Sequence, residues 1–520
     1  MSTLDEKLSG PFIALGDLIH LHATQQPAHP AMVQGDRVVD YAALDTWMDR
    51  IAASLQRSGI GARGVIAISA RNSLEFGAMF LGAARAGVAV APLAPDTTPD
   101  GIARMVADSG AQALFLDQGV ATTLQGVAGS IPVPWITLDG CSAGTPLADW
   151  LMPPGARPTP VPVGLDWTFN IIYSSGTTGA PKGIAQPHSF RWAQLSTFRP
   201  LGYGPDAVTL VSIPLYSNMT LSSFLPALAM GGTVVLMAKF DAGQYLQLAE
   251  RHRVTHSIMV PVQLQRLMAH PDFDKHDLSS FRFKGAGSAP FPAPLKADIL
   301  ARWPGTLIEF YGMTEGGGVC TLDGRKHPDK LHTVGHPTPD SDMRVIDDDG
   351  RELPPGSVGE IVSRSGTMMI GYHNLLEKTA EFEWFDAQGR RFFRSGDVGR
   401  FDENGFLTLM DRKKDMVISG GFNVYPSDLE AILAQHPQVL ESAVFGVPSE
   451  RWGETPVAHV VARAGPALQA QELLAWLNAQ VGKSQRLAAL EVVDALPRSD
   501  IGKVLKRQLR DQWVTKGIAL

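Results

Sequence analysis

Apolar positions recur at helical spacing over 41–58, where Leu44, Met48, Ile51 and Leu55 share one side, and Gly59 and Gly61 end the pattern as C-terminal capping glycines do. A short apolar run predicts a buried strand at 65–69, followed by a helix over 73–86 that stops at Gly87 and a second strand over 88–92. The same rhythm returns further on. It predicts strands at 207–213, 233–237 and 257–260, with helices at 222–230 and 242–251. Such alternation implies parallel sheets covered by helices, here arranged as two αβαβα-type subdomains. Residues 151–162 lie between them and carry five prolines, which reads as an irregular connection. From about 334 the pattern turns to short strands, 343–346 and 360–363, separated by Asp-Asp-Gly and Pro-Pro-Gly turns, as in a small β-rich subdomain. Past Asp411 an α+β segment follows, with helices over 426–435 and 471–481 and strands at 443–447 and 456–461. The fold class expected is therefore α/β, with a large N-terminal domain over 1–413 and a small α+β C-terminal domain over 414–520.

Composition narrows the class of partner. The chain has 520 residues, more than one hydrophobic core usually organises, and its 44% apolar and 19% charged content is that of a globular protein. Lys and Arg number 45 against 52 Asp and Glu, a net charge of −7 that offers no footprint for a nucleic-acid backbone or an anionic membrane. The 52 glycines and 37 prolines exceed average usage and point to many turns. Two cysteines, Cys141 and Cys320, make no disulfide framework and lack metal-ligand spacing, so a reducing compartment is expected. The first residues show no charged-then-apolar leader pattern. The most apolar stretch, 65–93, is broken by Arg71, Glu75 and Arg85, so no integral membrane association is expected and the location expected is cytoplasmic.

The chemistry-bearing segment follows the apolar stretch 168–172 and reads Tyr173-Ser-Ser-Gly-Thr-Thr-Gly-Ala-Pro-Lys-Gly183. Gly176 and Gly179 let backbone N–H groups turn toward an anion. Ser174, Ser175, Thr177 and Thr178 add hydroxyl donors, and Lys182 adds a point charge. This is phosphate-binding chemistry. It is not a Walker A loop, which needs Gly before the Lys and Ser or Thr after it, where this chain has Pro181 and Gly183.

The segment resembles the signature of the adenylate-forming superfamily, which includes acyl-CoA synthetases, peptide-synthetase adenylation domains and beetle luciferases. Four further stretches resemble that family's later motifs in the same order: Tyr311-Gly-Met-Thr-Glu315; Ser395-Gly-Asp-Val398; Asp411-Arg-Lys-Lys-Asp415 with Ile418-Ser-Gly-Gly421; and Pro497-Arg-Ser-Asp-Ile-Gly-Lys503. Together they span the chain from Tyr173 nearly to its end.

The resemblance implies a mobile C-terminal domain and a role for each motif. Tyr311 would stack on adenine, Thr314 would bond the α-phosphate and Glu315 would hold Mg²⁺. Asp397 would accept from the ribose hydroxyls, and Arg412 would contact ribose or phosphate. Lys414 falls at the hinge, Gly420 and Gly421 border the tunnel for the pantetheine arm of CoA, and Lys503 neutralises charge in the adenylation transition state. The acyl pocket would draw on Tyr216, Ser217, Met259, Gly285, Gly287, Gly312 and Val319, small and apolar enough for an aromatic or medium-length aliphatic tail. Ser217 stands where many relatives carry a gating His or aromatic residue, a departure for which Tyr216 could substitute.

The activity implied is that of an ATP-dependent carboxylate–CoA ligase. It forms acyl-AMP and pyrophosphate, then transfers the acyl group to CoA, with ATP, Mg²⁺ and CoA as cofactors. Transfer to a carrier-protein thiol, or a catalytically silent nucleotide-binding scaffold, are the alternatives; the retained Glu315 and Lys503 weigh against the scaffold.

Overall fold

The computed structural model describes residues 7–8, 10–174, 181–419, 422–498 and 504–516. The chain divides into two compact units, Met1–Asp342 with Arg364–Phe393, and Met343–Ser363 with Arg394–Leu520.

Local signals in the first unit act where the pattern places them. The helix Tyr41–Arg57 starts at Asp40, whose carboxylate accepts from the Ala43 N–H, and its end is followed by Gly59 at φ 77°. The helix Leu74–Arg85 starts at Ser73, whose hydroxyl accepts from the Phe76 N–H. The strand Val65–Ser69 pairs in parallel with Ala89–Leu93. One helix differs from expectation. Asn218–Ala229 begins four residues before the predicted start, because the polar residues at its first turn interrupt the apolar spacing without breaking the helix.

Among the described residues, two large sheets form the first unit. One runs Gly371–Tyr372, Gly183–Pro187, Thr168–Tyr173, Ala89–Leu93, Val65–Ser69, Leu114–Leu116, Trp135–Thr137 and Thr145–Pro146. The other runs His336–Pro337, Cys320–Asp323, Thr306–Tyr311, Phe283–Gly287, His256–Met259, Val208–Val211, Thr233–Leu236, Pro30–Gln34 and Arg37–Asp40. Their interior pairings are parallel and their outer ones include antiparallel strands. A single apolar cluster takes Ile66 and Val90 from one sheet and Met32 and Val234 from the other, with Phe76, Leu81, Phe224 and Leu228 of the intervening helices between them. Burying each such Leu or Phe contributes roughly 1.5–3 kcal/mol. The two sheets thus share one core and hold the strand ends that carry the motifs in fixed register.

The second unit, taken by itself, joins residues 359–363 of the strand Gly359–Arg364 and residues 394–401 of the strand Arg391–Phe401 to the hairpin partner Leu407–Arg412. It also holds a sheet ordered Phe422–Val424, Val417–Ser419, Gly453–Ala462 and Val439–Ser449, with Ala489–Val492 beside Gly453–Ala462. The helices Pro426–Leu433, Ala470–Asn478 and Lys506–Thr515 pack on it. Division by compactness therefore groups residues 343–363 and 394–413 with the C-terminal segment, whereas the sequence pattern groups them with the N-terminal domain. A pivot near Lys414 concerns motion rather than compactness and belongs to the functional reading.

Candidate active site

The phosphate-loop motif lies in a hairpin. Thr168–Tyr173 and Gly183–Pro187 pair antiparallel with Tyr173 opposite Gly183, and the Ser174 N–H donates to the Lys182 carbonyl at 3.1 Å. Tyr173 anchors its first strand by donating its hydroxyl to Asp108 Oδ2 at 2.6 Å, and burial with the Asp108 charge pushes this phenol's pKa up. Ser175, Gly176, Thr177, Thr178 and Gly179 lie outside the described residues, as do Gly420, Gly421 and Lys503.

The strand Gly371–Tyr372 extends this hairpin, with Tyr372 opposite Ile184, and so brings a third segment to the loop. The Lys182 Nζ sits 4.8 Å from the centroid of the Tyr372 ring. The same phenol donates to Glu315 Oε1 at 2.8 Å. Tyr372 is 6% exposed; burial, then the Glu315 charge and hydrogen bond, raise its pKa, which keeps it a donor. Lys182 and Glu315, 133 positions apart by their numbers, are thereby joined through one ring. Glu315 Oε2 accepts no hydrogen bond from a described residue, and a carboxylate oxygen is the kind of ligand that a hard cation takes. Among the described residues no group of three or more His, Cys, Asp or Glu could hold a metal by itself.

A tight turn aims Glu315. The Gly316 N–H donates to the Met313 carbonyl at 3.0 Å, Gly317 N–H to Thr367 at 2.7 Å, and Met369 N–H to the Glu315 carbonyl at 2.9 Å. Gly316 has φ 80°, and a Cβ there would lie 2.0 Å from the Thr367 oxygen, so only glycine serves. Tyr311 is half-buried at the end of the strand Thr306–Tyr311, three residues before Thr314.

Beneath Thr314 is a buried polar network. Gln186 Nε2 donates to the Thr314 carbonyl at 2.5 Å and to Asn218 Oδ1 at 3.1 Å. Arg191, 6% exposed, donates to Asn170 and Asn218 at 2.8 and 3.0 Å, and to Gln186 and Gln194. Its described acceptors are amide oxygens. Burial lowers its pKa to about 9.

In the second unit Asp397 and Arg412 face each other across a hairpin, with Arg412 Nε 3.2 Å from Asp397 Oδ1. The Ser395 hydroxyl accepts from the Asp397 N–H at 3.0 Å and fixes that turn. Lys413 pairs with Asp348 at 2.8 Å and Glu360 at 3.3 Å, so Arg412 and Lys413 of the charge run each have a specific partner. Lys414 is exposed.

The expected acyl-pocket residues are partly assembled. Gly285 lies against Ile258, Phe283 and Phe310, Met219 lies against the Gly287 position, and Gly312 lies against Val319. Tyr216 and Ser217 are half-buried just before the helix Asn218–Ala229. Met259 is not brought to this group. Adjacent strand positions point to opposite faces, and whereas Ile258 meets Gly285, Met259 is buried in the other core with Leu210, Ala286 and Phe291.

Sequence reasoning missed Tyr372, Gln186, Arg191 and Asp108. Tyr372 sits on a two-residue strand, too short for periodicity, and the others become significant only through partners distant in sequence.

Comparison with known proteins bears on this arrangement. Residues 19–373 match the family described as AMP-binding enzyme, and residues 428–503 match the AMP-binding enzyme C-terminal domain. A feruloyl-CoA synthase from Amycolatopsis sp is 34% identical over 496 residues, 94% of this chain and 97% of that protein. The fatty acid–[acyl-carrier-protein] ligase ScoC of Streptomyces coeruleorubidus is 31% identical over 502 residues, 95% of each chain. The solved structure of the amide bond synthetase McbA from Marinactinospora thermotolerans superposes with TM-score 0.86 at 28% identity, over 96% of this chain and 100% of that one. No helix among the described residues is long and apolar enough to cross a membrane.

Proposed function

The chain belongs to the AMP-binding enzyme family, and from that membership we propose that it is an acyl-CoA synthetase acting on an aromatic or medium-chain aliphatic acid. It is an ATP-dependent, AMP-forming ligase whose substrates are a carboxylic acid, ATP and CoA, with Mg²⁺ as the metal. The observation that carries the reading is the Lys182–Tyr372–Glu315 assembly, which holds the phosphate-loop cation over the face of one ring and a carboxylate at its hydroxyl.

The mechanism follows from charge. Carboxylate and triphosphate repel each other, so catalysis consists of alignment and charge neutralisation without a protein nucleophile. The loop hydroxyls and N–H groups of Ser174, Ser175, Gly176, Thr177, Thr178 and Gly179, with Lys182, bind the phosphates; Thr314 bonds the α-phosphate. Glu315 would hold Mg²⁺, which would supply charge neutralisation to the pyrophosphate leaving group. Tyr311 stacks on adenine, and Asp397 and Arg412 hold the ribose end. The acid oxygen attacks the α-phosphorus, and the bond to pyrophosphate breaks. Lys503 neutralises the charge shared between carboxylate and α-phosphate during that step. The C-terminal domain, 414–520, then pivots at Lys414, so that Lys503 withdraws and the Gly420–Gly421 pair admits pantetheine; the CoA thiol displaces AMP.

Names among the relatives include ligases for CoA, for a carrier protein and for amide formation. A common acyl-AMP step with different acceptors accounts for all three. The glycine pair is compatible with the thin pantetheine arm of free CoA, the acceptor this reading prefers. The test is pyrophosphate exchange across a carboxylic-acid panel, followed by thioester formation with CoA, with a carrier protein, and amide formation with an amine. Exchange without CoA thioester would move the reading to one of the other acceptors; absence of exchange with any acid would refute it.

A further inference from the structure

The strand Thr306–Tyr311 is interior to its sheet, flanked by Phe283–Gly287 and Cys320–Asp323. On one face Leu307 and Glu309 are buried. On the other, Ile308 and Phe310 are only half-buried. Large apolar side chains left half-covered on an interior strand mark the floor of a cleft.

The neighbouring strand presents glycine to this same face at 285 and 287, which on its own would deepen the cleft. The space is already taken. A Cβ at Gly285 would lie 3.0 Å from Phe310 Cε2, 3.0 Å from Phe283 Cζ and 2.9 Å from Ile258 Cγ1. Phe310 is also braced from behind. Its ring stacks on Phe198 with centroids 5.5 Å apart and planes at 20°, and meets Phe283 edge-on at 6.3 Å. Tyr203 packs against both Phe198 and Phe283 and against His256, and Phe198, Phe283, Tyr203 and His256 are all buried. A ring held in this way cannot swing aside for a longer ligand without displacing the core. The wall nearby is apolar too, with the Met219 methyl 3.7 Å from the Gly287 Cβ position.

We infer that Phe310 forms the floor of the acyl pocket and restricts the substrate to a compact acid with an uncharged apolar tail, a single aromatic ring or a short aliphatic chain. This rests on the carboxylate-activating function proposed above and narrows it. The glycines at 285 and 287 then serve to seat the aromatic floor rather than to lengthen the pocket.

The experiment measures pyrophosphate exchange, without CoA, for benzoate and for straight-chain acids from acetate to dodecanoate. For the wild-type protein kcat/KM should rise roughly fourfold per methylene, as burial of a CH₂ dictates, then break within the short acids and fall at least tenfold by dodecanoate. Phe310→Ala should move the break by two or more carbons and raise kcat/KM for dodecanoate at least tenfold. Phe310→Leu, the milder change, should move it by about one carbon if the Ala variant does not fold; thermal unfolding and calorimetric ATP binding report folding. Undiminished wild-type activity on dodecanoate, or an unmoved break in a folded variant, overturns the inference while leaving carboxylate activation intact. ATP binding with no exchange for any acid overturns both.

Discussion

Replacing Tyr372 by Phe removes one oxygen from a buried position and leaves the ring that Lys182 covers at 4.8 Å. What is lost is the 2.8 Å hydrogen bond to Glu315. A hydrogen bond to a charged group is worth about 1.5–3 kcal/mol net, and Glu315 is only half-buried, so water replaces part of it. The loss expected is about 1–2 kcal/mol, a factor of roughly 5–30 in an equilibrium. If the phenol's work is to hold Glu315 toward the metal, that factor falls on the Mg²⁺ requirement. The apparent Mg²⁺ constant in pyrophosphate exchange at saturating ATP should rise 5–30-fold, whereas thioester formation from supplied acyl-AMP should change little. Urea unfolding without ligands measures the structural share separately. Tyr372→Leu also removes the ring face and should additionally weaken ATP binding, read by calorimetry. Mg²⁺ titrations of wild type and Tyr372→Phe that superimpose, at equal stability, would refute the positioning role.

Three other outcomes are expected. Lys503→Ala should lose most acyl-AMP formation yet retain thioester formation from supplied acyl-AMP; comparable losses in both half-reactions of a folded variant would remove the lysine from the adenylation step. Gly421→Leu should still form acyl-AMP but transfer it poorly to CoA, with Gly421→Ala as the control for backbone conformation; normal CoA saturation in both would take the tunnel elsewhere. His188 and His256 are buried, and burial lowers each pKa to about 4, against about 6.5 when unfolded. The unfolded chain therefore binds more protons in that window. Stability is fully present above about pH 6.5 and lost as the pH falls toward 4, by up to roughly 3 kcal/mol per histidine. His256→Gln should flatten the pH dependence of the unfolding midpoint between pH 4.5 and 6.5, and an unchanged slope would show that His256 does not titrate with unfolding.

Much of the fold is legible where the physics is local. Helical periodicity closed by a C-terminal glycine locates Tyr41–Arg57 and Leu74–Arg85 to within a residue or two, because spacing and the terminating glycine are properties of the segment itself. Spacing within Tyr173–Gly183 announces phosphate chemistry for the same reason. Loop donors and a cation need no distant partner to be recognised, whereas the roles expected of Tyr311–Glu315 come only from the resemblance of the ordered motifs.

Other features depend on which strands become neighbours. The pairing of Pro30–Gln34 with Thr233–Leu236 leaves no trace in either segment. Met259 and Ile258 look equally suited to a pocket until the face of the sheet is known. Gly285 reads as open space until Phe310 and Phe283 are seen to fill it. The sequence by itself determined the α/β class, the order of motifs and the kind of chemistry, since each follows from propensity, spacing and side-chain type over a few residues. Tertiary structure alone decided that Tyr372 joins Lys182 to Glu315, that Arg191 is buried among amides and that Phe310 stacks on Phe198 beside Gly285. Those contacts bring together residues far apart in the chain, and burial of the whole core, rather than any local preference, stabilises them.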